Sequence, residues 1–349
     1  PARASHWSVP PFAAEVLDGM VWGRGAVDMK DMDAMLIALA RAWSRSGQRP
    51  SRDLVFLFIP DEEAGGQHGS HWIVDHRPDI LDGVSEGVSE VGGFSLTLPD
   101  DRRLYLIQTA EKGIAWMRLI AEGTAGHGSA LTGDNAVTEV AAAVTRIGQH
   151  RWPVKLSPTA RHMVRAISEA YGIELDLEDP ESLTRQLGPV ARFIGAGTRN
   201  TTNPTMLEAG YKANVIPADA TAVVDGRYVP GEEHAFLAEI DRLLGPTVRR
   251  EFINHDVALE AAYDVPLVDA MRAALEAEDP GAAVAPYLLS ARTDAKAFSR
   301  LGVHGYGFSP LKLPPDLDFT ALFHGVDERV PIDSVHFGVR ALDRFLRLA

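Results

Sequence analysis

Three consecutive acids, Asp61-Glu62-Glu63, follow directly on the apolar run 53–60 (DLVFLFIP). Adjacent carboxylates repel one another, so in a cleft they call for a metal cation or a shared proton. At the C-terminal end of a parallel strand they would lie where open α/β sheets bind ligands. A solvated acidic turn opening a helix fits the same residues. Asp28 ends a strand-like stretch in GRGAVDMK, where glycines allow close backbone approach; a helix-capping aspartate is the plainer reading. Glu90 ends a further strand-like segment, before Val91-Gly92-Gly93. Acids at three successive strand ends converge on one rim of a sheet, which a bland reading explains poorly. Of the 12 histidines, His76, His150, His162 and His255 sit in polar surroundings and read as surface residues. His127, between glycines in Gly126-His127-Gly128-Ser129, and His324, in Phe323-His324-Gly325-Val326-Asp327-Glu328, stand out by context. Each also reads as an ordinary loop histidine.

The elements that must position these side chains alternate. Residues 21–28 read as a short strand running into a Gly-rich turn, and 32–46 have helical spacing of Met35, Leu36, Leu39, Ala40 and Trp43. The run 53–60 reads as a buried parallel strand, followed by a helix near 69–75 and a strand near 83–91. This alternation predicts an α/β layer. From about Lys112 the texture changes. Residues 114–121 alternate as a half-exposed antiparallel strand, 136–147 read as a helix, and strands are expected at 206–213 and 220–228. The stretch 150–189, rich in Pro, Asp and Glu, reads as a helical excursion. After Pro230-Gly231 the α/β pattern returns, with helices at 232–244 and 266–277 and a strand at 305–308. The expected organisation is a catalytic domain over 1–111 and 230–349, interrupted by an α+β insert over 112–229.

Bulk properties narrow the function classes. A chain of 349 residues exceeds one ordinary core. A net charge of −14 without a Lys/Arg-rich run argues against a nucleic-acid partner. No apolar stretch approaches the roughly 18–20 residues that span a bilayer, so no membrane partner is expected. With no cysteine, disulfides, thiolate zinc sites and cysteine nucleophiles are excluded, and a cytoplasmic location is the natural expectation.

Taken in order, Trp7-Ser8-Val9-Pro10-Pro11-Phe12, GRGAVDMKD, DEEAGG, EVGG, GHGS, Asn214-Val215-Ile216-Pro217, Asp225-Gly226-Arg227, Arg292-Thr293-Asp294, Gly307-Phe308-Ser309-Pro310 and HGVDERVP resemble one family. It comprises the zinc-dependent aminoacylases, glutamate carboxypeptidases, acetylornithine deacetylases and succinyl-diaminopimelate desuccinylases. The resemblance implies a zinc-peptidase-like α/β domain, with a mixed sheet flanked by helices, and an inserted lid and dimerisation domain. It implies two zinc ions per subunit, replaceable by Co2+ or Mn2+. Asp28 would bridge them, Glu63 and His324 would complete one set, and Glu90 would bind the other ion. Glu62 would be the general base, and His127 would stabilise the oxyanion, usually across a homodimer interface. Asn214, Arg227 and Thr293 match substrate-binding positions, while Asp294 and Glu328 match supporting ones.

The chemistry suits those roles. A divalent ion lowers the pKa of a coordinated water to roughly 7, and paired ions sit roughly 3.5–4 Å apart, within reach of one bridging carboxylate. An arginine fork pairs bidentately with a carboxylate. Relatives also carry a His-x-Asp motif followed by Val-Val-Pro, whose His binds the first metal. The sequence opens at what matches that proline, so the His and the first strands are expected to be missing, and His6 does not replace it. The reading is therefore a hydrolase of N-acyl amino acids or short peptides. The competing class is a metal-poor relative acting as a binding or scaffold protein.

Overall fold

Strand Arg103–Glu111 is buried almost throughout, as its run of Leu, Tyr and Ile requires. Five further strands join it in a six-stranded mixed sheet. Ala283–Leu289 pairs with it in parallel, Ser95–Thr97 and Leu259–Glu260 antiparallel. His304–Gly307 meets it at Gln108 and runs parallel to Glu86–Ser89. Helices Lys30–Ser46, Pro266–Glu278, Pro158–Tyr171 and Ile332–Leu348 cover this sheet, and their apolar faces join one core containing Met35, Met163, Met271 and Phe337. The computed structural model describes residues 3–98, 101–187 and 191–349.

A second, four-stranded antiparallel sheet has the order Val248–Asp256, Gly113–Glu122, Asp219–Tyr228, Thr201–Ala209. Ala115, Met117, Leu119 and Ala121 face helices Ala136–Gln149 and Glu233–Leu244 and form a separate core with them. The alternate residues of Gly113–Glu122 lie on the more open face, as period two demands. A small sheet of Glu15–Leu17, Met20–Trp22 and Arg329–Pro331 completes the frame. Among the described residues, no helix is long and apolar enough to cross a membrane.

Three local expectations differ from the structure. Residues 53–60 join no sheet among the described residues, and Val55 and Phe58 are each 50% exposed. Apolar composition favours a strand, but a strand needs a neighbouring edge to take up its N–H and C=O groups. Helix Glu233–Leu244 and strand Val248–Asp256 continue the second sheet, which therefore runs to Asp256 rather than ending near Tyr228. The excursion after residue 150 is helical as expected, at Pro158–Tyr171 and Pro180–Leu187, but it packs away from the second sheet: Met163, Ile167, Leu183 and Ile194 sit in the larger sheet's core. Its end at 188–190 lies outside the described residues.

Candidate active site

Asp28 is carried by the turn between Met20–Trp22 and helix Lys30–Ser46. One buried carboxylate shapes that turn. Glu328, 0% exposed, accepts hydrogen bonds from the backbone N–H of Gly25 (2.9 Å), Val27 (2.8 Å) and Asp28 (3.2 Å), and from Arg24 Nη1 (2.9 Å). Arg24 Nη2 in turn donates to the Gly325 carbonyl at 2.7 Å. Ser8 pins the same loop, its N–H and hydroxyl donating to Asp327 at 2.7 and 2.8 Å. The loop that presents His324 and the loop that presents Asp28 are thereby fastened to each other across some 300 residues of sequence.

Glu62 and Glu63 occupy a 3-10 turn immediately after 53–60. His324 Nε2 lies 3.1 Å from Asp28 Oδ2 and 3.1 Å from both Glu63 carboxylate oxygens. One ligand atom from each of Asp28, Glu63 and His324 falls within a 4.8 Å sphere of mutual distances. Glu90 follows strand Glu86–Ser89 and is 7% exposed. Gly92 and Gly93, both at positive φ, let this turn press against the sheet: a Cβ on Gly92 would meet the Gly307 carbonyl oxygen at 2.5 Å. Asp61, Val91, His324 and Asp327 also hold positive φ. Such backbone is costly for non-glycine residues, most of all for β-branched Val91, and concentrates at functional sites.

Electrostatics show what chemistry this cluster suits. Burial raises the Glu90 carboxyl to about 10, helped by a hydrogen bond to Asp28 and its charge. Burial likewise lifts Glu62 to about 7, against the pull of Arg292 and with further lift from Asp294, Glu63 and Asp28. Burial pushes Asp31, just behind Asp28, to about 8. The buried carboxylates Glu90, Glu62 and Asp31 thus resist ionising together, which a nearby cation would relieve, while Glu63 and His324 stand exposed at the rim. A hard, oxygen-rich donor set with one imidazole fits a divalent metal.

Arg292 is the cation already in place. Its Nε lies 3.7 Å from Glu62 Oε1, and neither atom has a hydrogen-bond partner among the described residues. Sequence reasoning passed over it in favour of its neighbour. Thr293 is 1% exposed, its hydroxyl donates to Glu111 Oε1 at 2.5 Å and accepts from the Ala295 N–H at 3.2 Å. Within the protein that buried hydroxyl already uses its donor and one acceptor site, while Arg292 is the neighbour turned to Glu62. Its place in the family-like motif Arg292-Thr293-Asp294 was the available signal for Arg292. Asp294 accepts from Ser70 Oγ at 2.5 Å, consistent with a supporting place.

The insert presents its candidates on two ledges. Gly126–His127 pairs with Val215–Ile216, and the Gly128 N–H donates to the Asn214 carbonyl at 2.9 Å, so His127 and Asn214 are neighbours. The Ser129 N–H donates to His127 Nδ1 at 3.3 Å, which leaves the proton of a neutral ring on Nε2. Arg227 is gripped by Asp225 at 2.6 and 3.1 Å and stacks over Trp116 at 5.4 Å, with no hydrogen-bond partner for Nη1 among the described residues. Among the described residues, no hydrogen bond or ion pair joins His127, Asn214 or Arg227 to the acid cluster.

The family model described as Peptidase family M20/M25/M40 matches residues 1–348. The chain belongs to this family. It is an enzyme of the metallopeptidase and amidohydrolase kind, acting on amide or peptide bonds. N-fatty-acyl-amino acid synthase/hydrolase PM20D1 of Xenopus tropicalis is 26% identical over 372 residues, covering 97% of this chain and 68% of that protein. Aminoacylase-1 of Sus scrofa is 28% identical over 348 residues, covering 95% and 72%. The M20 family metallo-carboxypeptidase Sso-CP2 of Sulfolobus solfataricus superposes with a TM-score of 0.69 at 17% identity, over 99% of this chain and 81% of that one. Human carnosine dipeptidase 1 gives 0.66 at 16%, over 99% and 78%. At those identities the two structures establish the fold alone.

In this M20/M25/M40 member the Glu328 knot yields a direct test. Glu328→Gln sets an amide N–H against backbone N–H donors and leaves Arg24 without its buried partner. The expected result is a loss of about 3–5 kcal/mol in stability by urea unfolding, with added divalent metal held about 10–100-fold less tightly. Wild-type values for both would mean that the Asp28 turn is fixed by something other than Glu328.

Proposed function

We propose that this chain hydrolyses the amide bond of N-acyl amino acids or short peptides with a divalent metal, zinc by preference, and Glu62 as general base. The observation that carries the reading is the meeting of Asp28, Glu63 and His324 within 4.8 Å, beside a buried, unpartnered Glu62 Oε1. Those three side chains would hold one ion, and Asp28 and Glu90 would face a second. When bound, the metal supplies Lewis acidity toward the substrate carbonyl and acidifies a water. Glu62 takes the proton of the attacking water at its carboxylate and returns it to the leaving nitrogen. Arg292 holds Glu62 in place from behind. His127 donates from Nε2 to the developing oxyanion, and Asn214 and Arg227 hold the carbonyl and carboxylate of the substrate. The substrate class follows the names of the relatives, which act on N-acyl amino acids and dipeptides.

We further assign the lid and dimerisation role to the insert. His127 is then expected to complete the partner's site. Mixing His127→Ala with Glu62→Ala chains should restore up to about a quarter of wild-type activity, since each heterodimer holds one site with both residues intact. Confirmed subunit exchange without recovery would place His127 in its own subunit's site or outside the chemistry. For the substrate class, the check is a zinc-loaded screen over N-acyl amino acids and dipeptides, read as released amine. No turnover in either series would favour the binding-protein alternative.

A further inference from the structure

Lys296 is 1% exposed, yet among the described residues no carboxylate lies within hydrogen-bonding distance of its ammonium. Nζ donates to the carbonyl of Lys112 at 2.8 Å and to that of Val257 at 2.5 Å, with Glu111 Oε2 farther off at 3.7 Å. The two carbonyls occupy matching places. Lys112 is the single residue between Arg103–Glu111 of the larger sheet and Gly113–Glu122 of the second. Val257 lies between Val248–Asp256 of the second sheet and Leu259–Glu260, which rejoins the larger one. One ammonium therefore clasps two points at which the chain passes between the sheets.

The other end of this network reaches the active site. Glu111, 0% exposed, accepts from the Thr293 hydroxyl and N–H at 2.5 and 3.2 Å and from Gln108 Nε2 at 3.2 Å. Thr293 is flanked by Arg292, which faces Glu62, and by Asp294. Hydrogen bonds from both crossings to Lys296, its 3.7 Å ion pair with Glu111, and the hydrogen bonds of Glu111 to Thr293 thus link the crossings to the loop behind the proposed base. Burial pushes Lys296 below the usual lysine range and Glu111 above the usual carboxylate range, each opposed by the other's charge. A buried pair of this kind is poor evidence for stability, because apolar replacements are often as stable; its best-attested use is to fix one geometry.

We propose that Lys296 and Glu111 are positioning residues that set the angle of the insert against the catalytic layer and register the Arg292 loop to that angle. The relevance to catalysis rests on the hydrolase reading above; the angle does not, and it is measured without substrate. The chain has no cysteine, so spin labels can be placed uniquely by Gln149→Cys and Ala277→Cys, at exposed positions on helices Ala136–Gln149 and Pro266–Glu278. Pulsed dipolar spectroscopy on the zinc-loaded chain should give one narrow distance distribution. Lys296→Met should broaden it at least about twofold, and Thr293→Val, a gentler change that removes the hydroxyl's bonds to Glu111 and from the Ala295 N–H while keeping the Thr293 N–H bond to Glu111, should broaden it less but in the same sense. Leu342→Ala, which lowers the melting point from within the C-terminal helix, should leave it unchanged. If Lys296→Met does not fold, Thr293→Val decides alone. Unchanged distributions in the folded Lys296 and Thr293 variants, or equal broadening in Leu342→Ala, would overturn the proposal.

Discussion

Dialysed against zinc and passed through gel filtration, the 349-residue chain is expected to retain one tightly bound zinc ion, not two. Among the described residues, only Asp28, Glu63 and His324 form a group with three converging donors. Catalytic zinc takes about three protein ligands, and this set supplies them. On the other side Asp28 and Glu90 offer two carboxylates, with Glu90 raised by burial and further by its closeness to Asp28. A full four-ligand zinc site is worth about 10–16 kcal/mol, so one missing ligand costs roughly 3 kcal/mol, about a hundredfold in affinity. Repulsion from the first ion weakens the second further. His324→Ala should release the retained ion, since it removes the one neutral donor from the complete set. Metal analysis of both proteins is the measurement. Two firmly held ions per chain would mean that a side chain outside this set completes the second site.

Glu62→Gln should lower turnover by about a hundredfold to ten-thousandfold, the range of general acid–base catalysis, with metal content unchanged. The amide keeps the shape of the side chain but accepts no proton at neutral pH. Metal retention follows from geometry: Glu62 Oε1 is aimed at Arg292, 3.7 Å away, whereas His324 contacts Asp28 and Glu63. Paired measurement of kcat and zinc per chain separates the outcomes. Loss of zinc would make Glu62 a ligand and overturn the division of roles between the two neighbouring acids. Near-normal turnover with zinc bound would remove it from the mechanism.

Chain order and residue type already determined much of this molecule. Asp28, Glu63 and His324 could be singled out because acids and histidines beside glycine turns are written locally, and helices such as Pro266–Glu278 are legible in a 3.6-residue period. The family resemblance lay in short motifs of that kind. What the sequence left open has one physical origin: periodicity says which face of an element is apolar, but not which other element covers it. The helix Glu233–Leu244 reads the same whether it packs on the first sheet or the second, and contacts alone assign it to the second. Run 53–60 has a strand's composition, yet pairing depends on an adjacent edge that no local pattern encodes. Arg292 and Thr293 are adjacent in sequence, and only tertiary packing turned the guanidinium toward Glu62 and the hydroxyl toward Glu111. The same holds for Glu328 and Lys296. A buried charge is stable only among donors and acceptors brought from distant segments, so its role existed nowhere in the sequence until the chain had folded.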